Sequence, residues 1–314
     1  MPTKKSPRKG SLQFWPRKRA SKFLPSVNWK AINSAKPLKG FICYKCGMKS
    51  AIAKDNTPES MTKGKEITIP VTVLECPPMK IFSVRFYKNN KVAIDVLAEG
   101  LEKELKRKVK LPKKAGKKID DLKVEDYDDV SIVAYSNVKK SGLKKTPDIV
   151  ELGLNGNMEE KMAFIKTNLN KEFSALDFFE SNQLVDFRGL TTGKGFSGPV
   201  KRFGIKLRQS KSEKGIRKVG SIGPWHPARV TFRVPMAGQL GMFTRVVYNN
   251  NIVDIGKAED KLKNIKNYGD VKTDYIVISG SVQGPSKRPL IMTNALRPTK
   301  AQLKKSLEFV RFGK

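Results

Sequence analysis

The segment from Val185 to Arg245 decides the interpretation of this chain. It contains, in order, VDFRGLTTGKGFSGPVKRFG (185–204), GIRKVGSIGPWHPARV (215–230) and PMAGQLGMFTR (235–245). Between Val185 and Pro235 there are twelve Lys or Arg, two acids and eight glycines. A segment this basic and glycine-rich cannot close around a core of its own, and we expect it to lie against a polyanion. Structured nucleic acid fits that description best.

The whole chain shares this positive charge. Its 314 residues carry 63 Lys and Arg against 29 Asp and Glu, a formal net charge of +34. Such an excess repels itself unless a counter-charge is bound, and a phosphate backbone supplies one at high density. No segment reaches the roughly 18 apolar residues of a membrane-spanning helix, and no apolar region follows the N-terminal charges. We therefore expect a soluble, intracellular protein bound to a polyanion.

The charges are unevenly distributed along the chain. Residues 1–54 contain fourteen Lys or Arg and no acid, whereas residues 55–185 contain twenty-one of the twenty-nine acids. The N-terminal run also contains Phe14 and Trp15, so it offers both phosphate contacts and faces for base stacking. A floppy basic tail is the alternative interpretation. The distribution predicts a folded body with two RNA-facing extensions, which we expect to be disordered alone and to fold on binding.

The body is predicted to be mainly β. Runs of β-branched and aromatic residues bounded by turns are typical of strands, and a further strand is expected at 183–192. The clearest runs are Ile67–Leu74, Ile81–Tyr87, Val92–Leu97, Val130–Val138 and Tyr275–Val282. Turns are expected at Cys76-Pro77-Pro78 and Asn89-Asn90.

Three helices are predicted between and after these strands. Asn157 and Glu160 have the spacing of a capping box, ahead of an apolar face formed by Met158, Met162, Ile165 and Leu169. A shorter helix is expected on Leu97, Leu101 and Leu105, and a terminal one, capped by Thr299, on Leu303, Leu307 and Val310. Strands outnumber helices, so we predict a β-barrel with an α+β insertion.

The glycine motif at 193–198 invites a cofactor interpretation. Its GxGxxG spacing matches a dinucleotide-binding loop, which opens an amphipathic helix and has an acid about twenty residues on. Here Pro199 and a basic run follow instead. A Walker A motif fails as well, because the preceding glycine is one residue too close. We interpret the glycines as allowing close backbone approach to phosphates, with Lys194, Lys201 and Arg202 supplying charge.

Cysteine and histidine usage gives little support to a metal site or to catalysis. Cys43 and Cys46 form a CxxC pair, but a structural zinc site needs four ligands, and only Cys76 and His226 remain. Two small residues on a strand are the simpler interpretation. We therefore predict no metal, no cofactor and no catalytic residue.

Trp225 has two interpretations. It is either a core residue that anchors the loop, or an exposed residue at the loop's tip that stacks on RNA bases. The flanking Gly223-Pro224 and His226-Pro227 stiffen the backbone on both sides, because each proline restricts itself and the residue before it. This favours the tip.

The same residues resemble a known family. Phe179-x6-Asp186-x2-Gly189-x-Thr191-x-Gly193-Lys194-Gly195-x2-Gly198-x3-Arg202 is similar to the pattern that defines the universal large-subunit ribosomal protein L three family. PRKGSLQFWPRKRA (7–20) resembles the N-terminal arm of its archaeal and eukaryotic members, and SIGPWHPARV with AGQLGMFTR resembles its central loop. The chain length is closer to that of the archaeal members.

The resemblance implies a fold and a function. The fold is a translation-protein-type β-barrel with an inserted α+β lobe. The arm and central loop penetrate large-subunit ribosomal RNA toward the peptidyl transferase centre, with Trp225 at the tip near the aminoacyl-tRNA side. The family member is an early assembly protein in the cytoplasmic large subunit. Its partners are rRNA and neighbouring ribosomal proteins, with no membrane and no small-molecule substrate. It is not an enzyme, because RNA performs peptide transfer.

The expected organisation follows from these matches. We expect a basic RNA-binding arm at 1–39, a barrel at 40–76 and 177–298 that includes the central loop 190–245, an α+β insert at 77–176, and a C-terminal helix and tail at 299–314. The predicted RNA-binding residues are Lys4, Lys5, Arg8, Lys9, Trp15, Arg17, Lys18, Arg19, Arg188, Lys194, Lys201, Arg202, Lys206, Arg208, Arg217, Lys218, Trp225, His226, Arg229, Arg245, Lys287 and Arg288.

Two alternatives from other functional classes remain open. A general nucleic-acid-compacting basic protein would share the charge, but it would have no need for the loop of glycine and tryptophan. An RNA-modifying enzyme would need a cofactor pocket, which the context of the glycine motif does not support.

Overall fold

The computed structural model describes residues 9–112, 116, 119, 122, 126–258 and 262–313. These residues form thirteen strands and four short α-helices, so the prediction of a mainly β protein is confirmed. The chain divides into two compact units. We call Met1–Phe23 with Leu190–Arg245 the extension unit, and Leu24–Gly189 with Val246–Lys314 the sheet unit. No helix in the described part of the chain is both long enough and apolar enough to cross a membrane.

The elements are numbered in chain order. The strands are β1 (Gly40–Asp55), β2 (Glu66–Cys76), β3 (Met79–Lys88), β4 (Lys91–Leu97), β5 (Asp129–Ser136), β6 (Ile149–Gly153), β7 (Leu184–Leu190), β8 (Phe196–Ser197), β9 (Gly238–Gln239), β10 (Thr244–Gly256), β11 (Asp274–Ser279), β12 (Pro289–Asn294) and β13 (Leu307–Phe312). The α-helices are α1 (Val138–Ser141), α2 (Met158–Asn168), α3 (Pro199–Phe203) and α4 (Lys300–Leu303).

The larger sheet has the strand order β12-β7-β10-β11-β2-β1-β13, and β1 also pairs with β12. The long strand β1 makes this possible, because its first residues pair with β12 and its last residues pair with β13. Apolar residues of these strands fill the core, including the fully buried Phe41, Leu74 and Ile276. Burial of such side chains is the main favourable term in folding.

Two carboxylates buried in this sheet have hydrogen-bond partners. The carboxylate of Asp186, which is fully buried, accepts hydrogen bonds from the backbone N–H groups of Asn249 (2.9 Å) and Leu296 (3.0 Å). Buried Glu75 accepts from the N–H groups of Lys272 (2.9 Å) and Thr273 (3.0 Å). These bonds offset the cost of removing the two carboxylates from water.

The smaller sheet has the order β4-β3-β5-β6 and lies within residues 79–153. The tight turn between β3 and β4 contains Asn89 and Asn90, both with positive φ (52° and 59°), as a two-residue hairpin requires. Helix α2 begins as predicted, with Glu160 Oε2 accepting from the Asn157 N–H at 3.1 Å. Its buried residues include Met162.

The predicted helix on Leu97, Leu101 and Leu105 is wrong. Leu97 is the last residue of β4, where it pairs with Ser83 of β3. Between Leu97 and residue 112, where the described stretch ends, the structure has only a single 3-10 turn, Lys103–Arg107. Cross-strand pairing with β3 therefore overrides the leucine spacing, and Gly100, with φ +67°, separates the strand from that turn.

The predicted terminal helix is only partly right. Thr299 caps it by accepting from the Gln302 N–H (3.4 Å), but the helix ends at Leu303. Leu307–Phe312 instead forms β13, which pairs with the end of β1. The physical reason is that β1 offers an edge whose backbone groups need partners.

Candidate nucleic-acid interface

The glycine motif folds as a short two-stranded ribbon. Phe196 pairs with Gln239 and Ser197 pairs with Gly238. The Lys194 N–H donates to the Leu240 carbonyl (2.9 Å), and the Leu240 N–H donates to the Gly195 carbonyl (2.8 Å). The helix that follows, α3, spans only Pro199–Phe203. The motif therefore lacks the long helix of a dinucleotide site.

The geometry of the ribbon explains why glycine occupies two of its positions. Gly195 has φ +62°, a conformation that favours glycine. Gly241 has φ +76°, and a Cβ there would lie 2.0 Å from the Thr192 carbonyl oxygen. The close approach of the two backbones thus depends on glycine at 241.

Arg202 fastens the ribbon to the rest of the extension unit. Its Nε donates to the Gln239 carbonyl (2.9 Å) and its Nη1 to the Met236 carbonyl (2.9 Å). Burial lowers the pKa of this guanidinium from its ordinary value. The Arg202 side chain, predicted to bind phosphate, therefore binds the backbone of residues 236 and 239 instead.

Trp15 and Arg17 connect the N-terminal arm to the central loop. The Trp15 ring stacks on Phe203 at 5.9 Å and meets Phe232 edge-on at 5.8 Å. The Arg17 guanidinium lies 4.3 Å from the centroid of Phe203, and its Nη1 donates to the Arg202 carbonyl at 3.2 Å. These side chains, predicted to meet RNA, are half-buried and make intramolecular contacts.

Phe203 is also why the arm contains a glycine at position 10. A Cβ at Gly10 would lie 2.6 Å from the Phe203 ring and 2.6 Å from Nη2 of Arg17.

Arg245 makes a second cation–aromatic contact, with its guanidinium 4.3 Å from the centroid of the Phe14 ring. Burial lowers the pKa of Arg245. Cation–aromatic contacts of this type contribute about 0.5–2 kcal/mol each, depending on exposure.

The remaining predicted residues of the extension unit are exposed. They are Lys9, Lys18, Arg19, Lys194, Lys201, Lys206, Arg208, Arg217, Lys218, Trp225, His226 and Arg229. Trp225 is 88% exposed, which excludes the interpretation of a core tryptophan. Lys4, Lys5 and Arg8 lie outside the described residues.

Three predicted residues belong to the sheet unit. Arg188 is buried, and its Nη1 donates to the Thr293 hydroxyl. Arg288 is half-buried, and burial lowers its pKa, whereas Lys287 is exposed. Arg188 therefore serves the packing of β7 against β12, and only Lys287 presents an exposed charge.

One candidate was missed by sequence reasoning. Phe196 is 82% exposed within the ribbon, although its neighbour Ser197 is buried. No sequence signal separates it from a core phenylalanine, because a strand of two residues is too short to show an alternating pattern.

The three cysteines are free, buried thiols. Burial raises the pKa of both the Cys46 and the Cys76 thiol well above the ordinary value, which keeps them protonated. Among the described residues, no group of three His, Cys, Asp or Glu side chains could hold a metal ion.

A mainly β body combined with a glycine-rich unit of exposed cations has the features of the nucleic-acid-binding class. The family model for Ribosomal protein L3 matches residues 1–312. The chain is 40% identical over 314 residues to "Large ribosomal subunit protein uL3" of Methanocaldococcus jannaschii, covering 95% of this chain and 93% of that protein. It is 38% identical over 310 residues to the protein of that name from Archaeoglobus fulgidus, covering 94% and 93%. The chain belongs to the ribosomal protein L3 family.

Proposed function

We propose that this chain is a structural constituent of the cytoplasmic large ribosomal subunit, where it binds rRNA through the extension unit. The observation that carries the proposal is the family match over residues 1–312. Family membership also supports a structural component rather than an enzyme, so the RNA-modifying alternative is not favoured. The composition of the extension unit agrees: residues 1–23 and 190–245 contain twenty Lys or Arg and one acid, Glu213.

The mechanism is electrostatic. Exposed cations of the extension unit neutralise crowded phosphates and allow distant RNA helices to pack together, with each contact adding roughly 0.7–0.9 to the salt slope of binding. Trp15, Arg17, Arg202 and Arg245 position the arm and the loop, and Arg188 stays outside the RNA-contacting set. The proposed contacting set in the extension unit is Lys4, Lys5, Arg8, Lys9, Lys18, Arg19, Lys194, Lys201, Lys206, Arg208, Arg217, Lys218, Trp225, His226 and Arg229. Two residues of the sheet unit, the exposed Lys287 and the half-buried Arg288, complete the set.

The central loop reaches toward the peptidyl transferase centre, and the protein acts early in assembly and in aminoacyl-tRNA accommodation. This part rests on the family resemblance and on the exposure of Trp225, which leaves its ring available for a base. Neighbouring large-subunit proteins are the expected partners of the insert at 77–176.

We also propose that the larger sheet closes into a β-barrel. The supporting observation is that the strand order runs from β12 through β7, β10, β11 and β2 to β1, and that β1 pairs with β12 again. Closing the sheet removes unpaired edges from the six strands of that cycle.

Sedimentation of cell lysate on a sucrose gradient at low and high salt tests the proposal. We expect the chain to travel with the large subunit and to survive a high-salt wash. A chain found free, or stripped by moderate salt, would contradict it and favour a general nucleic-acid-compacting protein. Such a protein would also bind duplex DNA, which supplies a second readout.

A further inference from the structure

Phe196 is held outward by a backbone that cannot easily turn it inward. The side chain is 82% exposed, whereas the next residue, Ser197, is 6% exposed. Successive residues of a strand point to opposite faces, so burial of Ser197 fixes Phe196 on the open face. No aromatic ring or cation of the described residues lies over it.

Hydrogen bonds hold both strands of the ribbon around Phe196. Its partner Gln239 is bound through its carbonyl by Arg202 Nε at 2.9 Å. The flanking bonds between Lys194, Gly195 and Leu240 fix the strand that carries it. An aromatic ring kept in water on a fixed backbone loses little conformational entropy when a ligand covers it.

The charge around this ring indicates what covers it. No acid occurs between Asp186 and Glu213, and none occurs between Glu213 and Asp254. Lys194 and Lys201, both exposed, are two and five residues away along the chain. A ligand for this surface therefore combines a flat apolar face with negative charge, which describes a nucleobase on its phosphate backbone.

We propose that Phe196 is a base-stacking site for an unpaired nucleotide of large-subunit rRNA. This rests on the proposed function, because it names a residue of the same RNA-binding unit. The site differs from Trp15, whose ring is already stacked on Phe203 at 5.9 Å. Stacking on Phe196 therefore adds affinity without base specificity, because every base has a flat face that can stack on the ring.

Binding of the full chain to protein-free large-subunit rRNA, measured at several salt concentrations, tests the site. Phe196→Ala and Phe196→Leu should weaken binding by about five- to 150-fold, the range for one base–aromatic stack, without changing the salt slope. Phe196→Tyr and Phe196→Trp should restore it. Met61→Ala is the matched control, because Met61 is 97% exposed in the β1–β2 hairpin and should leave affinity unchanged.

The possible failures are distinguishable. Equal affinity of Phe196→Ala and the parent overturns the stacking site while the proposed function stands. Full binding by Phe196→Leu overturns it too, because a leucine fills an apolar pocket but cannot stack. A parent chain that binds no rRNA overturns the proposed function itself. Circular dichroism of each variant checks folding, which the exposure of Phe196 should leave intact.

Discussion

The guanidinium of Arg17 lies 4.3 Å from the ring centroid of Phe203 and donates to the carbonyl of the residue before that ring, Arg202. One side chain of the arm is thus bound both to an aromatic face and to the backbone of the central loop. The arm and the loop are therefore parts of one structural unit, although about 180 residues separate them in the sequence.

Replacing Phe203 by alanine should release the arm. Phe203 is 6% exposed and packs against Trp15, so truncation removes the stack and leaves a cavity, at a cost of about 3–5 kcal/mol to the packing of this unit. Limited trypsin digestion measures the result as faster cleavage after Lys18 and Arg19. Phe23→Ala, a 54% exposed ring in the same arm, is the control. Unchanged cleavage would show that the ring does not hold the arm.

Trp225→Ala should leave folding and subunit yield largely unchanged and disturb aminoacyl-tRNA accommodation. Its side chain is 88% exposed, so its loss removes almost no internal packing. Thermal unfolding checks the first expectation, and pre-steady-state accommodation kinetics on purified ribosomes checks the second. Normal subunits with unchanged kinetics would count against a role for this ring at the loop tip.

Asp186→Ala should strongly destabilise the sheet unit. The substitution leaves the N–H groups of Asn249 and Leu296 without their acceptor in a buried site, at about 1–3 kcal/mol for each. Urea unfolding measures the loss. Asp95→Ala is the control, because Asp95 pairs with Arg85 (2.9 Å) near the surface, where a pair contributes about 0–1 kcal/mol. Equal losses for both variants would contradict this account.

Asp55 should make stability depend on pH. Hydrogen bonds from Thr57, Thr62 and Ser60 hold the pKa of Asp55 well below its ordinary value. A carboxylate whose pKa is lower in the folded state stabilises the protein above the unfolded pKa, about 3.9, and that contribution is lost as pH falls through the folded value. Asp55→Asn should therefore lower the urea midpoint at pH 7, and the difference from the parent should shrink below about pH 4. A difference that stays constant down to pH 3 would argue against the lowered pKa.

Local sequence signals predicted about half of the strands and two helix caps, at Asn157 and Thr299. The run Ile67–Leu74 lies within β2, and the pair Asn89-Asn90 forms the expected turn, because both depend on neighbouring residues alone. The terminal helix was predicted on Leu303, Leu307 and Val310 because their spacing fits one, but Leu307–Phe312 forms a strand. Its strand pairing with β1, some 250 residues away, decides the outcome and leaves no local trace.

The candidate site was predicted as a region rather than as separate roles. Glycine and charge content identified the basic loop, but they could not distinguish Arg202, which binds the carbonyls of Met236 and Gln239, from the exposed Lys201. That distinction depends on acceptors more than thirty residues away. Phe196 was missed for a related reason, since its exposure depends on pairing with Gln239.

Strands β7 and β10 are hydrogen-bonded neighbours, although β7 ends at Leu190 and β10 begins at Thr244. The central loop therefore occupies the place of an ordinary hairpin turn. Because the entropic cost of closing a loop grows only slowly with its length, such a connection tolerates insertions and deletions without a change of register. The loop sequence can thus diverge while the sheet evolves under a separate constraint, the preservation of its core.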